Sequence, residues 1–280
     1  MIPGTVFERI SQEYYDLTAA EKKTADYVMQ HPRESQFLSI AELAEESGVA
    51  EATISRFCRR LGYKGYNAFK LAIANATAGQ QRKDKDTGPD GSDGLYRQLF
   101  AADVAAVSET LEMLRQEDLK AAAADLYAAR KVLCMGQGGS MLMAEEAAHL
   151  FSTVSGKFFA VSDSHSQAIA AANLQKNDML LFFSYSGSTR ELIETLNISR
   201  ERSAKVILIT RFPRSPGAIL ADYVLPCGSK ESPLQPSSVP AAFAQFFVLD
   251  ALFAEYCLCN PAECSESRER VAAALTDKHL

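Results

Sequence analysis

The hydrophobic positions follow one period in the first part of the chain and another in the second. Before residue 80 the apolar residues recur at helical spacing, and no segment has the pattern of a strand. From residue 131 onward, helical stretches alternate with short, nearly continuous apolar runs at 131–135, 157–161, 178–183, 205–209 and 222–225. Strands buried on both faces that alternate with helices form parallel sheets with helices on each side. The pattern predicts an α + α/β fold, in which an all-helical bundle precedes an α/β/α sandwich with a five-stranded parallel sheet.

A polar segment separates the two parts. Residues 80–94 contain no apolar side chain except Pro89, so they cannot bury enough surface to offset the entropy of ordering them. The first half of the segment also suits an extension of the preceding helix. A length of 280 residues suits two domains. We predict a helical domain over 1–79, a linker over 80–94 and an α/β domain over 95–280.

The first helix after the linker carries an apolar stripe at heptad spacing. The stripe consists of Phe100, Val104, Val107, Leu111 and Leu114. Such a stripe suits packing against the sheet domain or against another subunit.

Two short helices in the helical domain are predicted from their ends. Ser39 and Glu42 form a capping box, in which each side chain binds the other residue's backbone amide. Gly48 ends this helix, and a second helix begins near residue 51. The apolar face of the second helix consists of Ile54, Phe57, Cys58 and Leu61. Two helices joined by such a turn form a helix-turn-helix, whose second helix enters the major groove of DNA.

The chain has a negative net charge, but one of its segments holds only basic residues among the charged ones. The formal net charge is −6, which by itself argues against a nucleic-acid binder. Residues 1–51 hold four basic and ten acidic side chains, whereas residues 52–70 hold five basic and no acidic ones. Arginines in the major groove bind guanine with two hydrogen bonds, and hydroxyls bind bases or phosphates. The predicted DNA-binding residues are Thr53, Ser55, Arg56, Arg59, Arg60 and Lys64, and the alternative is a solvated basic face on a small bundle.

Two loops at the ends of predicted strands suit an anion. One follows the first strand and the other follows the third, and each leads into a helix, whose N-terminus attracts anions. Glycines let the backbone approach a ligand, and hydroxyls bind phosphate without a buried positive charge. Met141 stands where a dinucleotide fingerprint has its third glycine, which argues against a dinucleotide. The predicted ligand-binding residues are Gly136, Gly138, Ser140, Ser184, Ser186, Gly187, Ser188 and Thr189, and the alternative is ordinary helix capping.

The helical domain resembles the N-terminal domain of the MurR/RpiR family of bacterial transcription regulators over residues 5–77. The resemblance rests on three segments, at 17–28, 38–44 and 52–66. Ala50 departs from the family pattern, which more often has a serine that caps the recognition helix. Loss of this cap weakens the start of the helix by about 1 kcal/mol.

The α/β domain is similar to the sugar isomerase (SIS) domain, a phosphosugar-binding module, over residues 115–258. The most specific motif is Ser-x-Ser-Gly-x-Thr, which begins at Ser184. The resemblance implies phosphate contacts from Ser184, Ser186 and Thr189, completed by Ser140. Tyr185 stands where related sequences often carry histidine, which indicates different contacts on the sugar side.

Four further side chains near the loops are interpreted from their positions. His165 follows the second strand and is a candidate for a sugar contact, and the alternative is a solvated or capping histidine. Glu145, Glu146 and Glu191 lie at or near helix starts. We interpret these carboxylates as helix-surface residues rather than catalytic bases.

These features predict a transcription regulator whose binding to DNA is controlled by a sugar phosphate. We expect a homodimer or homotetramer, a palindromic operator, no cofactor, no metal and no enzymatic activity. The alternative is a phosphosugar isomerase that carries an accessory helical domain. The sequence leaves open whether the protein is a repressor or an activator.

The remaining composition argues against a membrane or secreted protein. No apolar run approaches the roughly 18 residues that a membrane span needs, and the N-terminal residues lack the pattern of a signal peptide. Cys257, Cys259 and Cys264 cluster, but their spacing is not typical of a zinc site. We expect reduced thiols and a cytoplasmic protein.

Overall fold

Capping side chains determine where three of the N-terminal helices begin. The structure is a computed structural model that describes residues 5–84, 92–234 and 238–276. In each capping box a threonine or serine and a glutamate bind each other's backbone amides. The boxes are Thr5 with Glu8, Thr18 with Glu21, and Ser39 with Glu42, and the last confirms the prediction. The helices are α1 (Val6–Glu13), α2 (Ala19–Gln30), α3 (Pro32–Ser35), α4 (Ile40–Glu46), α5 (Glu51–Arg60) and α6 (Tyr66–Asp84), with a 3-10 turn at Tyr14–Asp16.

The connection between α4 and α5 has the geometry predicted for a helix-turn-helix. Gly48 has a φ of +62°, and its amide binds the Glu45 carbonyl at 3.0 Å. The Val49 amide binds the Ala44 carbonyl at 2.9 Å. These two bonds close the end of α4 as a Schellman motif. Helix α5 then begins after Ala50, which provides no side-chain cap, as the sequence indicates.

The helices of this region share one apolar core. The predicted inner face of α5 is confirmed, because Ile54, Phe57 and Cys58 are fully buried. The ring of Phe57 meets that of Phe69 on α6 edge to face, with the ring centroids 5.6 Å apart. The core therefore fixes α5 by its apolar face and leaves the opposite face to solvent.

The second part of the chain forms the predicted parallel sheet. Its strands are β1 (Lys131–Gly136), β2 (Phe158–Ala160), β3 (Asp178–Phe183), β4 (Lys205–Thr210) and β5 (Tyr223–Pro226). Its helices are α7 (Ser92–Met113), α8 (Gln116–Ala128), α9 (Gly139–Ser152), α10 (Ser164–Ala172), α11 (Arg190–Glu201), α12 (Pro216–Leu220), α13 (Val239–Cys259) and α14 (Pro261–Thr276). The strand order is β2-β1-β3-β4-β5, and every neighbouring pair is parallel. All five predicted strands are confirmed.

Alternate residues of the central strands face two different layers of helices. In β3, Leu181 and Phe183 join the core under α8, α9 and α13. Leu180 and Phe182 join the core under α10, α11 and α12. Because both faces of the central sheet are covered, β1, β3 and β4 are almost continuously apolar after their charged first residues.

The described chain divides into two compact units. The helical unit comprises residues up to Arg97 together with residues 230–234, and the α/β unit comprises Gln98–Ser229 and the chain from Ser238 onward. Helix α6 continues to Asp84, so the first half of the predicted linker extends a helix, and α7 begins at Ser92. The middle of that linker, residues 85–91, lies outside the described residues. The predicted domain limits stay a prediction.

The apolar stripe of α7 packs against the sheet domain only at its end, where the half-buried Leu114 contacts the core. Phe100, Val104 and Leu111 are 70%, 46% and 63% exposed. The face of α7 that is buried carries small side chains instead, at Ala106 and Thr110. This face lies against Gly228, where an added Cβ would come within 2.7 Å of the Ala106 carbonyl oxygen. Small residues permit this close approach, so Phe100, Val104 and Leu111 face outward. Packing of these residues against another subunit stays a prediction.

Helix α13 is the one helix among the described residues that is long and apolar enough to cross a membrane. One of its faces is fully buried at Ala244, Val248, Leu249 and Leu252. These residues belong to the core beneath the sheet, where α13 packs against α8 and α9. This face of α13 therefore serves the core of the α/β unit, whereas Phe243 and Phe246 are exposed.

Candidate functional sites

The exposed basic residues of the helix-turn-helix lie on α5 and in the turn after it. Arg56 and Arg59 are exposed on α5, Lys64 is exposed beyond its end, and Ser55 is half-buried. Among the described residues, no acidic side chain forms an ion pair with these three basic groups. With Arg60, which is also exposed, five of the six predicted DNA-binding residues lie at accessible or partly accessible positions.

Thr53 and Arg60 make contacts within the protein. Thr53 is buried, and its hydroxyl accepts a hydrogen bond from Nη2 of Arg56 at 3.3 Å. Arg60 lies 3.4 Å from Oε1 of Glu21 and donates to the Asp16 carbonyl at 3.0 Å. Burial alone raises the pKa of Glu21, but hydrogen bonds from Thr18 and the charge of Arg60 outweigh it and lower the pKa. These contacts indicate that Thr53 orients Arg56, and that Arg60 holds α5 against α2.

The loop after β1 turns sharply into α9. A Cβ added at Gly136 would lie 2.5 Å from the carbonyl oxygen of Ser140, so only glycine fits there. Gly138 precedes the helix with a φ of +55°, a conformation that favours glycine, and gives no side-chain cap. Ser140 is half-buried in the first turn of α9. This geometry brings the backbone and one hydroxyl to the same helix start.

The loop after β3 is a set of small hydrogen-bonded turns. The buried Ser184 hydroxyl accepts from the Gly187 amide at 3.2 Å, and the Ser186 hydroxyl accepts from the exposed Ser188 at 3.3 Å. Gly187 has a φ of +58°, and an added Cβ would lie 2.0 Å from the hydroxyl oxygen of Ser215. The loop can therefore adopt this shape only with glycine at position 187.

Thr189 has a buried hydroxyl without a partner. Its backbone occupies the N-cap position of α11, but its side chain makes no capping bond. Its Oγ1 is buried and has no hydrogen-bond partner among the described residues. A buried hydroxyl left unpaired costs about 1–3 kcal/mol, so a hydrogen-bonding group bound at this position would be stabilised by it. The positive end of the α11 dipole favours an anion at the same place.

The two loops lie side by side at one edge of the sheet. Strands β1 and β3 are parallel neighbours, and Gly136 pairs with Phe183 at their carboxyl ends. The chain passes from β1 outward to β2 on one side and returns to β3 on the other, so this is the switch point of the sheet. Ligands of open α/β sheets bind in the crevice at such a point.

Gln167 is a buried polar residue beside the loop after β1 that is not among the residues predicted from the sequence. It is fully buried, and its Nε2 donates to the carbonyls of Gly136 at 3.0 Å and Val161 at 2.8 Å. Its Oε1 accepts from Nε2 of Gln137 at 2.6 Å. These bonds fix the loop after β1 against the segment after β2. A buried amide has no hydrophobic periodicity, and only its nearness to a strand end signals it in the sequence.

His165 and the carboxylates near the loops lie on helix surfaces. His165 is exposed in the first turn of α10, next to the Asp163 cap. Hydrogen bonds from Ser166 lower the pKa of Asp163, as is usual for a capping carboxylate. Glu145 and Glu191 are exposed, and Glu146 is half-buried. Within the described part of the chain, no group of three or more metal-ligating side chains lies close enough to hold a metal ion.

A helix-turn-helix unit joined to an α/β domain with two loops at the switch point of its sheet defines the class of the protein, a transcriptional regulator. The helix-turn-helix domain of the rpiR family matches residues 4–80, and the SIS domain matches residues 125–255. An uncharacterized HTH-type transcriptional regulator of Haemophilus influenzae is 32% identical over 90% of this chain and 89% of its own. The HTH-type transcriptional regulator HexR of Pseudomonas aeruginosa is 30% identical over 73% of each chain. The chain belongs to the rpiR family of HTH-type transcriptional regulators, and this confirms the family and the class predicted from the sequence.

Two solved structures show the same fold. The NanR protein of Vibrio vulnificus, complexed with ManNAc-6P, superposes with a TM-score of 0.87 at 22% identity, over 99% of this chain and 100% of that one. The sugar isomerase domain of an RpiR transcription factor from Sphaerobacter thermophilus has a TM-score of 0.58 at 22% identity and covers 64% of this chain and 98% of its own. The predicted fold class is therefore confirmed over the whole chain and again over the α/β unit alone.

Proposed function

We propose that a phosphorylated sugar binds at the loops 136–140 and 184–189 and controls the binding of this regulator to DNA. The observation that carries the proposal is the buried, unpaired hydroxyl of Thr189 at the uncapped start of α11. It lies in the same six-residue run as the hydroxyls of Ser184, Ser186 and Ser188. A phosphate oxygen is the acceptor that these hydroxyls and the helix start would share.

The sugar part of the effector would lie toward the segment after β2. Gln167 ties this segment to the loop after β1, and the exposed His165 stands two residues before it. The similar NanR structure is a complex with ManNAc-6P, which supports a phosphosugar as the class of effector. Three glycines would let the backbone of the two loops approach the phosphate closely, namely Gly136, Gly138 and Gly187.

The DNA contacts would come from the exposed face of α5. Arg56 and Arg59 would reach base edges and phosphates in the major groove, with Ser55 and Lys64 beside them. We also propose a homodimer or homotetramer on a palindromic operator, working in the bacterial cytoplasm. The exposed apolar residues of α7 support self-association, since such residues rarely remain solvated over a whole helix.

The protein would act without catalysing a reaction. An isomerase needs a base beside the reacting carbon of the sugar. The candidates Glu145 and Glu191 are exposed on helices, which supports a binding role for the site. Turnover of a hexose or pentose phosphate at about 1 s⁻¹ or faster would favour the isomerase alternative.

Ligand binding to the full-length protein tests the proposal. We would titrate it with N-acetylmannosamine 6-phosphate, glucose 6-phosphate, fructose 6-phosphate and ribose 5-phosphate, and with the same sugars lacking phosphate. We expect at least one phosphosugar to bind, and Ser186→Ala to weaken it by about tenfold or more. Ser152→Ala, which removes an exposed hydroxyl at the far end of α9, is the matched control. Equal phosphosugar affinities of Ser186→Ala and wild type would refute the proposed phosphate site at loops 136–140 and 184–189.

A further inference from the structure

A short segment after β5 docks onto the helix-turn-helix unit, and we name residues 230–234 the strap. Although it follows the last strand of the sheet, the strap belongs by its contacts to the helical unit. The Ser232 hydroxyl donates to Oε1 of Gln36 at 3.3 Å, and Gln36 is almost fully buried. Gln36 stands three residues before Ser39, which caps α4, the first helix of the helix-turn-helix. The strap therefore touches the structure that positions α4.

Charge supports the same contact. Lys70 of α6 is half-buried, and burial lowers its pKa to about 8, although the carboxylates of Glu42 and Glu231 partly offset this effect. Glu42 belongs to the α4 capping box, and Glu231 belongs to the strap. Lys70 thus lies near one carboxylate from each side of the contact. Tyr66, one turn earlier on α6, donates to the Leu38 carbonyl at 2.9 Å and so fixes α6 against the start of α4.

Ser229, the residue immediately before the strap, is held by hydrogen bonds within the α/β unit. The Ser229 carbonyl accepts hydrogen bonds from the Tyr185 hydroxyl and from Nε of Arg211, both at 3.0 Å. Its amide donates to Oε2 of Glu109 at 3.1 Å, and Oε1 of Glu109 pairs with Arg211 at 3.1 Å. Ser229 has a φ of +89°, an unfavourable conformation for a residue with a side chain. These bonds maintain a strained backbone at the point where the chain enters the strap.

Tyr185 connects this anchor to the loop after β3. It stands between Ser184 and Ser186, and its carbonyl accepts from the Arg211 amide at 3.0 Å and the Thr210 hydroxyl at 3.1 Å. A shift of the loop would therefore change the bond from Tyr185 to Ser229. From Ser229 the covalent chain reaches the Gln36 contact within three residues.

We propose that the strap transmits the state of the loop after β3 to the helix-turn-helix unit, through Tyr185, Ser229 and the docking of Ser232 and Glu231. The inference rests on the proposed function, because it assigns the regulation of the same effector site. Coupling between two sites requires an element that has two arrangements, and the proposal assigns this part to the strap.

Hydrogen–deuterium exchange on the full-length protein without ligand tests the strap directly. We compare Tyr185→Phe with Tyr223→Phe, which removes another bonded tyrosine hydroxyl of the same unit, the one that donates to Asp125. We expect Tyr185→Phe to raise exchange about threefold or more at 229–234 and also at 35–42. Tyr223→Phe should leave both segments unchanged. An increase confined to 184–190 and 228–229 would overturn the proposal.

DNA binding tests the regulatory role. We would measure the affinity for a duplex selected from random DNA, with and without N-acetylmannosamine 6-phosphate and the other phosphosugars above. Wild type should change affinity by at least about fivefold, and Glu231→Gln with Ser232→Ala should reduce the change below about twofold while still binding the phosphosugar. The control, Ser265→Ala with Glu266→Gln, alters an exposed pair on α14. A wild-type response in the strap variant would overturn the strap, whereas absence of phosphosugar binding in wild type would refute the proposed function and leave the exchange experiment to decide the strap.

Discussion

In the helical unit the candidate binding groups, Arg56 and Arg59, project from one exposed helix face, whereas in the α/β unit the hydroxyl of Thr189 is buried. A surface that binds a polyanion needs little more than charges on a rigid helix, because most of its affinity comes from electrostatics. A pocket for one small anion needs aligned donors and a backbone that lets the ligand approach. We therefore expect charge to govern the proposed DNA site, and backbone conformation together with the Thr189 hydroxyl to govern the proposed phosphosugar site.

The largest expected effect tests whether backbone conformation carries the effector site. Gly187→Ala places a methyl group against Ser215, whose hydroxyl caps α12 by accepting from Ala218. We expect the unfolding free energy to fall by about 3 kcal/mol or more. Gly138→Ala has a similar positive φ but meets nothing within 4 Å, so it should cost only about 1 kcal/mol. Urea denaturation measures both, and equal losses would show that crowding at Gly187 is unimportant.

Thr189 allows ligand affinity and stability to be separated. In Thr189→Val the lost hydroxyl has no partner in the described part of the chain, so stability should stay the same or rise slightly, while phosphosugar affinity falls about 10- to 150-fold. In Thr110→Val the lost hydroxyl bonds Ala106 and Gly228, so stability should fall by about 1–3 kcal/mol. Titration calorimetry and thermal denaturation measure the two effects. A destabilised Thr189→Val with unchanged affinity would mean that the hydroxyl has a structural role.

The two arginines Arg56 and Arg60 of α5 are expected to have different roles, one in DNA binding and one in stability. Arg56→Ala should weaken DNA binding by about 1–3 kcal/mol, which is roughly 5- to 150-fold, because its guanidinium is exposed. Arg60→Ala should act mainly on stability, by up to about 1 kcal/mol, because Arg60 contacts Glu21 and Asp16. Fluorescence anisotropy with a selected duplex and thermal denaturation check both. If Arg60→Ala lost as much DNA affinity as Arg56→Ala, the division of roles on α5 would be wrong.

The smallest expected difference is between the alkylation rates of the buried thiols in the two hydrophobic cores. Burial raises the pKa of Cys58 and that of Cys134 to about 12, so neither forms much thiolate below about pH 11. At pH 8, iodoacetamide should label the exposed Cys259 first. Cys58 should follow before Cys134, because the smaller helical core opens more readily than a central strand. Mass spectrometry gives the order of labelling. Faster labelling of Cys134 than of Cys58 would show that the central strand opens more readily than the helical core.

The sequence predicts the features that repeat or concentrate along the chain. Buried strands are continuous apolar runs, and the capping box at Ser39 is a local pattern, so both are found without a structure. The role of Gln167 depends on carbonyls of Gly136 and Val161, which only the folded sheet brings to it. Arg60 has the same helical spacing as Arg56, and only the packing of α2 shows that it contacts Glu21. Contacts that depend on tertiary structure leave no mark on local spacing.

If the proposed function is correct, a phosphosugar bound in the α/β unit changes the affinity of the helical unit for DNA. The most direct measurement is the dissociation constant for a selected duplex, by fluorescence anisotropy, with each phosphosugar and with the corresponding sugar lacking phosphate. We expect at least one phosphosugar to shift the constant by about fivefold or more, and its unphosphorylated form to leave the constant unchanged. A protein that binds the duplex and a phosphosugar together, with no change in either affinity, would contradict it.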